Sequence, residues 1–110
     1  MEPEGERKVL GLIGLGLRGR RAVVGVEQVR AAAKRGTLEL AVVAPDASRH
    51  SLDKVLPLLR AKGVRVIEGP SAAALGAAVG REATTAVGII DRDLASGIRR
   101  AAEGSPGGAR

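Results

Sequence analysis

The sequence predicts an α/β fold: a three-layer α/β/α sandwich around a central sheet of about four strands. Three observations lead there. Short β-branched apolar runs alternate with segments of helical period, which is the pattern of helices covering both faces of one sheet. The apolar residues are all aliphatic, with 12 Val, 12 Leu and 5 Ile and no Phe, Tyr or Trp. And 110 residues make one domain, which at this size hides about 65% of the surface its unfolded chain would expose.

The elements follow in order. Residues 1–6 carry almost nothing apolar and are expected to be disordered. Residues 7–17 form an apolar run compatible with helix or strand, placed as the first helix. Residues 21–24, Arg-Ala-Val-Val, read as a strand stopped by Gly25. Residues 26–35 read as a helix, with Val26, Val29 and Ala33 on one face and Gly36 after a basic last turn. Residues 38–44 form a buried strand ended by Pro45-Asp46. The stripe Leu52, Val55, Leu56, Leu59 is helical but contains Pro57. A proline inside a helix costs about 3 kcal/mol. The expectation is therefore two helices, one ending near Val55 and one starting with Pro57 in its first turn.

Gly63 closes that segment, and Val64–Ile67 is a strand. Ser71 caps a helix of small residues over 72–79, stopped by Gly80. Thr85–Ile90 is a β-branched strand, and Asp91 caps a last helix reaching about Ala102. The folded domain is therefore expected over 7–102, with 103–110 (Glu-Gly-Ser-Pro-Gly-Gly-Ala-Arg) a disordered tail.

Composition removes several function classes. There is no Cys and a single His, His50, so no thiolate zinc site, no disulfide scaffold and no His-based triad or metal cage is expected. Neither a cofactor nor a metal is expected. The absence of aromatics removes base-stacking platforms. The longest apolar stretch, Val9–Leu17, has nine residues, three of them Gly, whereas a spanning helix needs about 20. The start, Met-Glu-Pro-Glu-Gly-Glu, is acidic where a secretory signal is basic. The reading is a cytoplasmic protein without a membrane partner.

The net charge is +6, and residues 18–35 hold +5 of it: Arg18, Arg20, Arg21, Arg30, Lys34 and Arg35 against Glu27. A concentrated positive field suits phosphate binding, because each neutralised phosphate releases counterions. The bland reading is a solvated helix face beside a turn. The same region spells Gly14-x-Gly16-x-x-Gly19, a dinucleotide fingerprint after an apolar run. It opens no helix and is followed by no well-placed ribose-binding acid. Glu39 lies near the start of the next strand, and Asp46 is too far along. With 16 Gly in 110 residues, a chance match is easy.

A series of blocks carries a resemblance over residues 7–102. They are Ile13-Gly-Leu-Gly-Leu-Arg-Gly-Arg-Arg-Ala-Val-Val-Gly25, then Gly25-Val26-Glu27-Gln28 with a helix ending Arg35-Gly36, then Leu38–Asp46. Leu56-Pro57-Leu58-Leu59 before Val64-Arg65-Val66-Ile67, Leu75-Gly76-Ala77-Ala78-Val79-Gly80, and Asp91–Ile98 complete it. Their order and spacing resemble the kink-turn RNA-binding ribosomal protein family, and its short bacterial YlxQ-like branch in particular.

The resemblance implies a non-enzymatic RNA-binding protein acting in translation or another ribonucleoprotein setting. Its partner would be structured RNA, rRNA or another RNA containing a kink-turn, with ribosome association. In such proteins a Gly-x-Asn-Glu turn at a helix N-terminus meets phosphate and sheared G·A pairs, and a loop after Leu-Gly-x-Ala-x-Gly packs on extruded nucleotides. Carried over by position, Gly25, Glu27 and Gln28 form the turn, and Arg81, Glu82, Ala83 and Thr84 the loop. Arg21 falls at the family's lysine before the turn, with Arg18, Arg20 and Arg30 as further phosphate contacts. The sequence departs from the pattern at Glu27 for Asn, Gln28 for Glu, and Ala31 for a phosphate-contacting Lys. The working expectation is that the arginine cluster and the adjacent glycine turn form a single polyanion cradle.

Two other classes compete. One is a dinucleotide-binding enzyme fragment resting on Gly14, Gly16 and Gly19, which saturable NAD binding would support. The other is a protein-interaction module that kept the fold but not the RNA binding, whose activity would survive joint substitution of Arg18, Arg20 and Arg21. His50 reads as a surface or capping-region residue, and Asp91-Arg92-Asp93 as a cap and first turn rather than a metal pair.

Overall fold

The computed structural model describes residues 1–103. The elements are α1 (Pro3–Arg18), β1 (Ala22–Val24), α2 (Val26–Arg35), β2 (Leu40–Val43), α3 (Arg49–Ala61), β3 (Val66–Glu68), α4 (Ala72–Ala78), β4 (Ala86–Ile89) and α5 (Arg92–Glu103). The strands form one mixed sheet in the order β1-β4-β2-β3. β4 runs antiparallel to β1 and β2, while β2 and β3 are parallel.

The sheet separates two aliphatic cores. On one face Val9 and Ile13 of α1, Leu75 of α4 and Ile98 of α5 pack on Val24, Leu40, Val42, Val87 and Ile89. On the other, Val29 and Ala33 of α2 and Val55 and Leu59 of α3 pack on Ala41, Val43 and Ala86. Alternate residues of β2 thus serve opposite cores, as a strand's period of two requires. All four β2 residues are buried, which is why this segment reads as a continuous apolar run. The result is the three-layer α/β/α sandwich that the sequence predicts.

Two expectations are corrected. Residues 3–6, expected to be disordered, form the first turn of α1, with Pro3 at its start and Glu4 and Glu6 matched to the helix dipole. Gly5 is buried, because it lies where α1 meets α5: a Cβ there would stand 2.5 Å from the Ala101 carbonyl oxygen. Its missing side chain, which suggests there is nothing to bury, is what lets the two helices touch. At the other end, helix α5 includes Glu103, and the rest of the expected tail lies outside the described residues.

The second correction concerns Pro57, which sits inside one continuous helix α3. Proline's fixed φ is compatible with helix, and what is lost is one N–H bond to the carbonyl four residues back. That residue, Asp53, is exposed, as is Pro57, so water can satisfy the freed carbonyl. Meanwhile Val55 and Leu59 on the inner side are fully buried and hold the two halves in register.

The topology sorts the connections by edge. β1, β2 and β3 point the same way. The turns that enter α2, α3 and α4, and the loop from α4 into β4, therefore share one edge of the sheet. The α1–β1, α2–β2 and α3–β3 turns and the β4–α5 junction share the opposite edge. Ser48, Ser71 and Asp91 cap α3, α4 and α5 through bonds from the N–H groups of Ser51, Ala74 and Leu94. No helix among the described residues is long and apolar enough to cross a membrane.

Candidate functional site

At the first edge, β1 ends and α2 begins at Gly25. Gly25 has φ 94° and ψ 157°, a conformation essentially confined to glycine. Its N–H donates to the Ala86 carbonyl at 2.9 Å, which ties the turn to β4, and its own carbonyl accepts from the N–H of Val29 at 3.0 Å. Having no side chain, Gly25 caps nothing, so the first N–H groups of α2 are left without a side-chain partner. Gln28 is exposed, and its Oε1 accepts from the N–H of Val24 at 3.1 Å. That bond orients the side-chain amide, whose Nε2 group has no partner among the described residues. Glu27 is exposed beside it.

The loop from α4 into β4 folds back onto α4 at Gly76. The Arg81 N–H donates to the Gly76 carbonyl at 2.8 Å, and the Thr84 N–H to the Ala72 carbonyl at 3.1 Å. A Cβ on Gly76 would stand 2.5 Å from Ala83 Cα, so the loop backbone occupies the space a side chain would take. Gly80, with φ +76°, turns the chain into this path. Arg81, Glu82 and Ala83 are exposed. The Arg81 guanidinium reaches the α2 turn, with Nη1 3.7 Å from where a Gly25 Cβ would be.

Gly25, Glu27, Gln28, Arg81, Glu82 and Ala83 are therefore brought together from two segments far apart in sequence. Thr84 is not with them. It is 8% exposed and its hydroxyl donates inward to the Ala86 carbonyl at 3.4 Å. Arg30 also points elsewhere, donating from Nη1 to the Lys54 carbonyl and so linking α2 to α3.

The single-cradle expectation is corrected as well. Arg18 ends α1, Arg20 sits in the left-handed region at φ 60°, and Arg21 precedes β1. The Arg21 carbonyl accepts from the N–H of Ile90 after β4, which places it at the opposite edge of the sheet from Gly25. The cause is β1 itself: four extended residues carry the chain about 13 Å from Arg21 to Gly25. Arg49, which charge counted along the sequence does not single out, does lie on the Gly25 edge, because it starts α3 directly after β2. The only signal for it is topological.

The fingerprint glycines lie in a helix rather than a strand-to-helix loop. Gly14 faces the Ala78 carbonyl, 3.3 Å from where its Cβ would be, Gly16 leaves no room for a Cβ against Leu94, and Gly19 ends α1. They allow α1 to approach α4 and α5, and the dinucleotide reading falls. Asp91 is engaged as the cap of α5, and no group of three potential metal ligands occurs among the described residues.

These features define a small α/β/α domain with an uncapped glycine turn and a short polar loop meeting at one sheet edge. The model of the ribosomal protein L7Ae/L30e/S12e/Gadd45 family matches residues 7–98, and the chain belongs to that family. Among solved structures it is similar to a protein with unknown function from Bacillus halodurans C, at 27% identity and a TM-score of 0.79, covering 87% of this chain and 97% of that one. It shares its fold with a Giardia lamblia 15.5kD RNA binding protein, at 24% identity and a TM-score of 0.76, covering 94% of this chain and 88% of the other. No curated protein matches it.

Proposed function

We propose that this chain is a non-enzymatic RNA-binding protein of the ribosomal, kink-turn-binding type, working in the cytoplasm on rRNA or another structured RNA. The observation that carries the reading is the meeting of the Gly25–Gln28 turn with the Arg81–Ala83 loop inside a fold of this family. The uncapped N–H groups of α2 suit a phosphate, aided by the helix dipole. The free amide of Gln28 suits a base edge, and Arg81 adds a phosphate contact between the two segments. Ala83 offers a small apolar surface to an extruded nucleotide. That the similar Giardia protein is an RNA binding protein agrees with this reading.

The test is binding to a kink-turn stem compared with the same stem lacking its G·A pairs. The expected result is a clear preference for the first, lost in Gln28→Ala and weakened in Arg81→Gln. Equal affinity for both stems would remove kink-turn recognition. A second reading, a protein-interaction module, draws on the acids Glu27, Asp46 and Glu82 at this edge, which repel phosphate. Absence of binding to either stem would favour it.

A further inference from the structure

The family site and the positive charge lie at different edges of the sheet. At the Gly25 edge the connections and helix starts carry Arg49 and Arg81 against Glu27, Asp46, Glu68 and Glu82. At the other edge the α1–β1 turn brings Arg18, Arg20 and Arg21, and the α3–β3 turn brings Lys62 and Arg65. Arg35 ends α2 there and Arg92 starts α5, while the acids among them are Glu39, Asp91, Asp93 in the first turn of α5, and Glu103, which pairs with Arg65. Asp91 is spent on capping α5. The first edge is thus net acidic and the second net basic.

These cations are held together by the fold. The Ile90 N–H bond to the Arg21 carbonyl, 2.9 Å, fastens the α1–β1 turn against the start of α5. Further along the same edge, at the starts of β2 and β3, Arg65, Arg92 and Arg99 line a concavity of about 260 Å³ with Ser96 and Glu39, floored by Leu40 and Ala95. Arg65 pairs with Glu103 at 3.2 Å, and both are more than half exposed, so that pair is weak and readily exchanged. Arg18, Arg20, Arg21, Arg92 and Arg99 have no ion-pair partner among the described residues. Arginines in excess over acids, brought to one edge by the α1–β1 turn and α5, repel one another, and a bound anion relieves that repulsion.

The geometry points to a second RNA-binding surface at this edge, formed by Arg20, Arg21, Arg92 and Arg99 and taking the phosphate backbone of an RNA segment separate from the one at Gly25. The inference rests on the RNA-binding reading above and adds that the protein holds two RNA segments at once. The guanidinium fork suits phosphate oxygens in pairs, whatever the base sequence. The surface has no polar turn of its own to read bases, so it supplies affinity and salt dependence rather than sequence preference.

The experiment uses the full chain, the kink-turn stem and an RNA duplex of about 20 base pairs without G·A pairs. In one variant Arg20, Arg21, Arg92 and Arg99 are changed to Gln, and in a second the same four are changed to Lys. The duplex is expected to bind wild type with a steep salt dependence, and to bind the Gln variant at least tenfold more weakly. The slope of log affinity against log salt should fall by about 0.9 for each phosphate that is no longer neutralised. The Lys variant should keep most of the duplex binding, and a single equivalent of kink-turn stem, enough to fill the turn, should not displace the duplex from wild type. The stem-over-mutant-stem preference should be the same in all three proteins.

Unchanged duplex affinity and slope in the Gln variant would overturn the proposal, and so would full displacement of the duplex by one equivalent of stem. Loss of kink-turn preference in wild type would instead defeat the earlier reading while leaving the duplex measurements able to decide this one.

Discussion

Replacing Gly76 by alanine puts a methyl group into space already filled by backbone. The new Cβ would stand 2.5 Å from Ala83 Cα, 2.6 Å from Ala83 N and 2.9 Å from the Arg81 carbonyl oxygen. None of these atoms is the end of a flexible side chain, so relief requires the 81–84 loop to move off α4. Overpacking of this kind costs about 1–3 kcal/mol. Alanine recovers roughly 1 kcal/mol of helix propensity, leaving the variant between neutral and about 2 kcal/mol less stable. Gly11 supplies the control. It lies mid-helix in α1, exposed, with nothing within 4 Å of its Cβ position, so Gly11→Ala collects only the propensity gain of about 0.5–1 kcal/mol. In a domain near this size, 1 kcal/mol moves the melting temperature by roughly 4–8 °C. Thermal melts should therefore separate the two variants by several degrees, with Gly11→Ala above wild type and Gly76→Ala level with it or below. Kink-turn-stem affinity should fall only in Gly76→Ala, because only there is the Arg81–Ala83 loop displaced. If Gly76→Ala melts as high as Gly11→Ala, the packing of this loop on α4 is not as described.

Two further outcomes follow from the site geometry. Gly25→Ala should destabilise by about 1–3 kcal/mol, because φ 94° with ψ 157° is strained for any residue with a Cβ, even though the nearest atom to that Cβ is a tolerable 3.7 Å away; urea denaturation reads it, and no change in midpoint would count against the turn. Arg30→Ala should lower stability slightly, by no more than about 1 kcal/mol for an exposed bond to the Lys54 carbonyl, and leave RNA affinity unchanged. A loss of affinity without a loss of stability would return Arg30 to the RNA interface.

The layers, the strand count and the alternation of elements were legible because they depend on periodicity and punctuation, which are local. Ser71 and Asp91 were legible as caps for the same reason. Gly5 and Pro57 were not. Gly5 is buried by packing against Ala101, almost a hundred residues later, and Pro57 stays helical because Val55 and Leu59 are pinned to the sheet. The glycine motif of α1 misled in a related way, since Gly14 and Gly16 serve helix–helix packing with α4 and α5, which no local pattern separates from a phosphate loop.

The candidate site divides along the same line. Position in the family pattern placed the turn and the loop together, and the Arg81 guanidinium beside Gly25 agrees with it. Charge counted along the sequence did not survive folding, because a window of eighteen residues is not a patch. Its cations are dispersed by the elements between them. β1 spans about 13 Å from Arg21 to Gly25, and the ten residues of α2 carry Lys34 and Arg35 about 15 Å from the same turn. Both separations exceed the screening length of about 8 Å at physiological ionic strength. Arg18, Arg20, Arg21, Lys34 and Arg35 therefore contribute little field at the Gly25 turn, and with Arg30 turned to the Lys54 carbonyl a phosphate held there depends on the α2 N–H groups and Arg81. Salt titration separates these two kinds of binding. A complex confined to the turn should show a shallow slope set by one cation and a few backbone donors. A complex that also engages Arg20, Arg21, Arg92 and Arg99 should show a slope several units steeper. A steep slope on a stem too short to reach the second edge would mean that the charge acts at the turn after all.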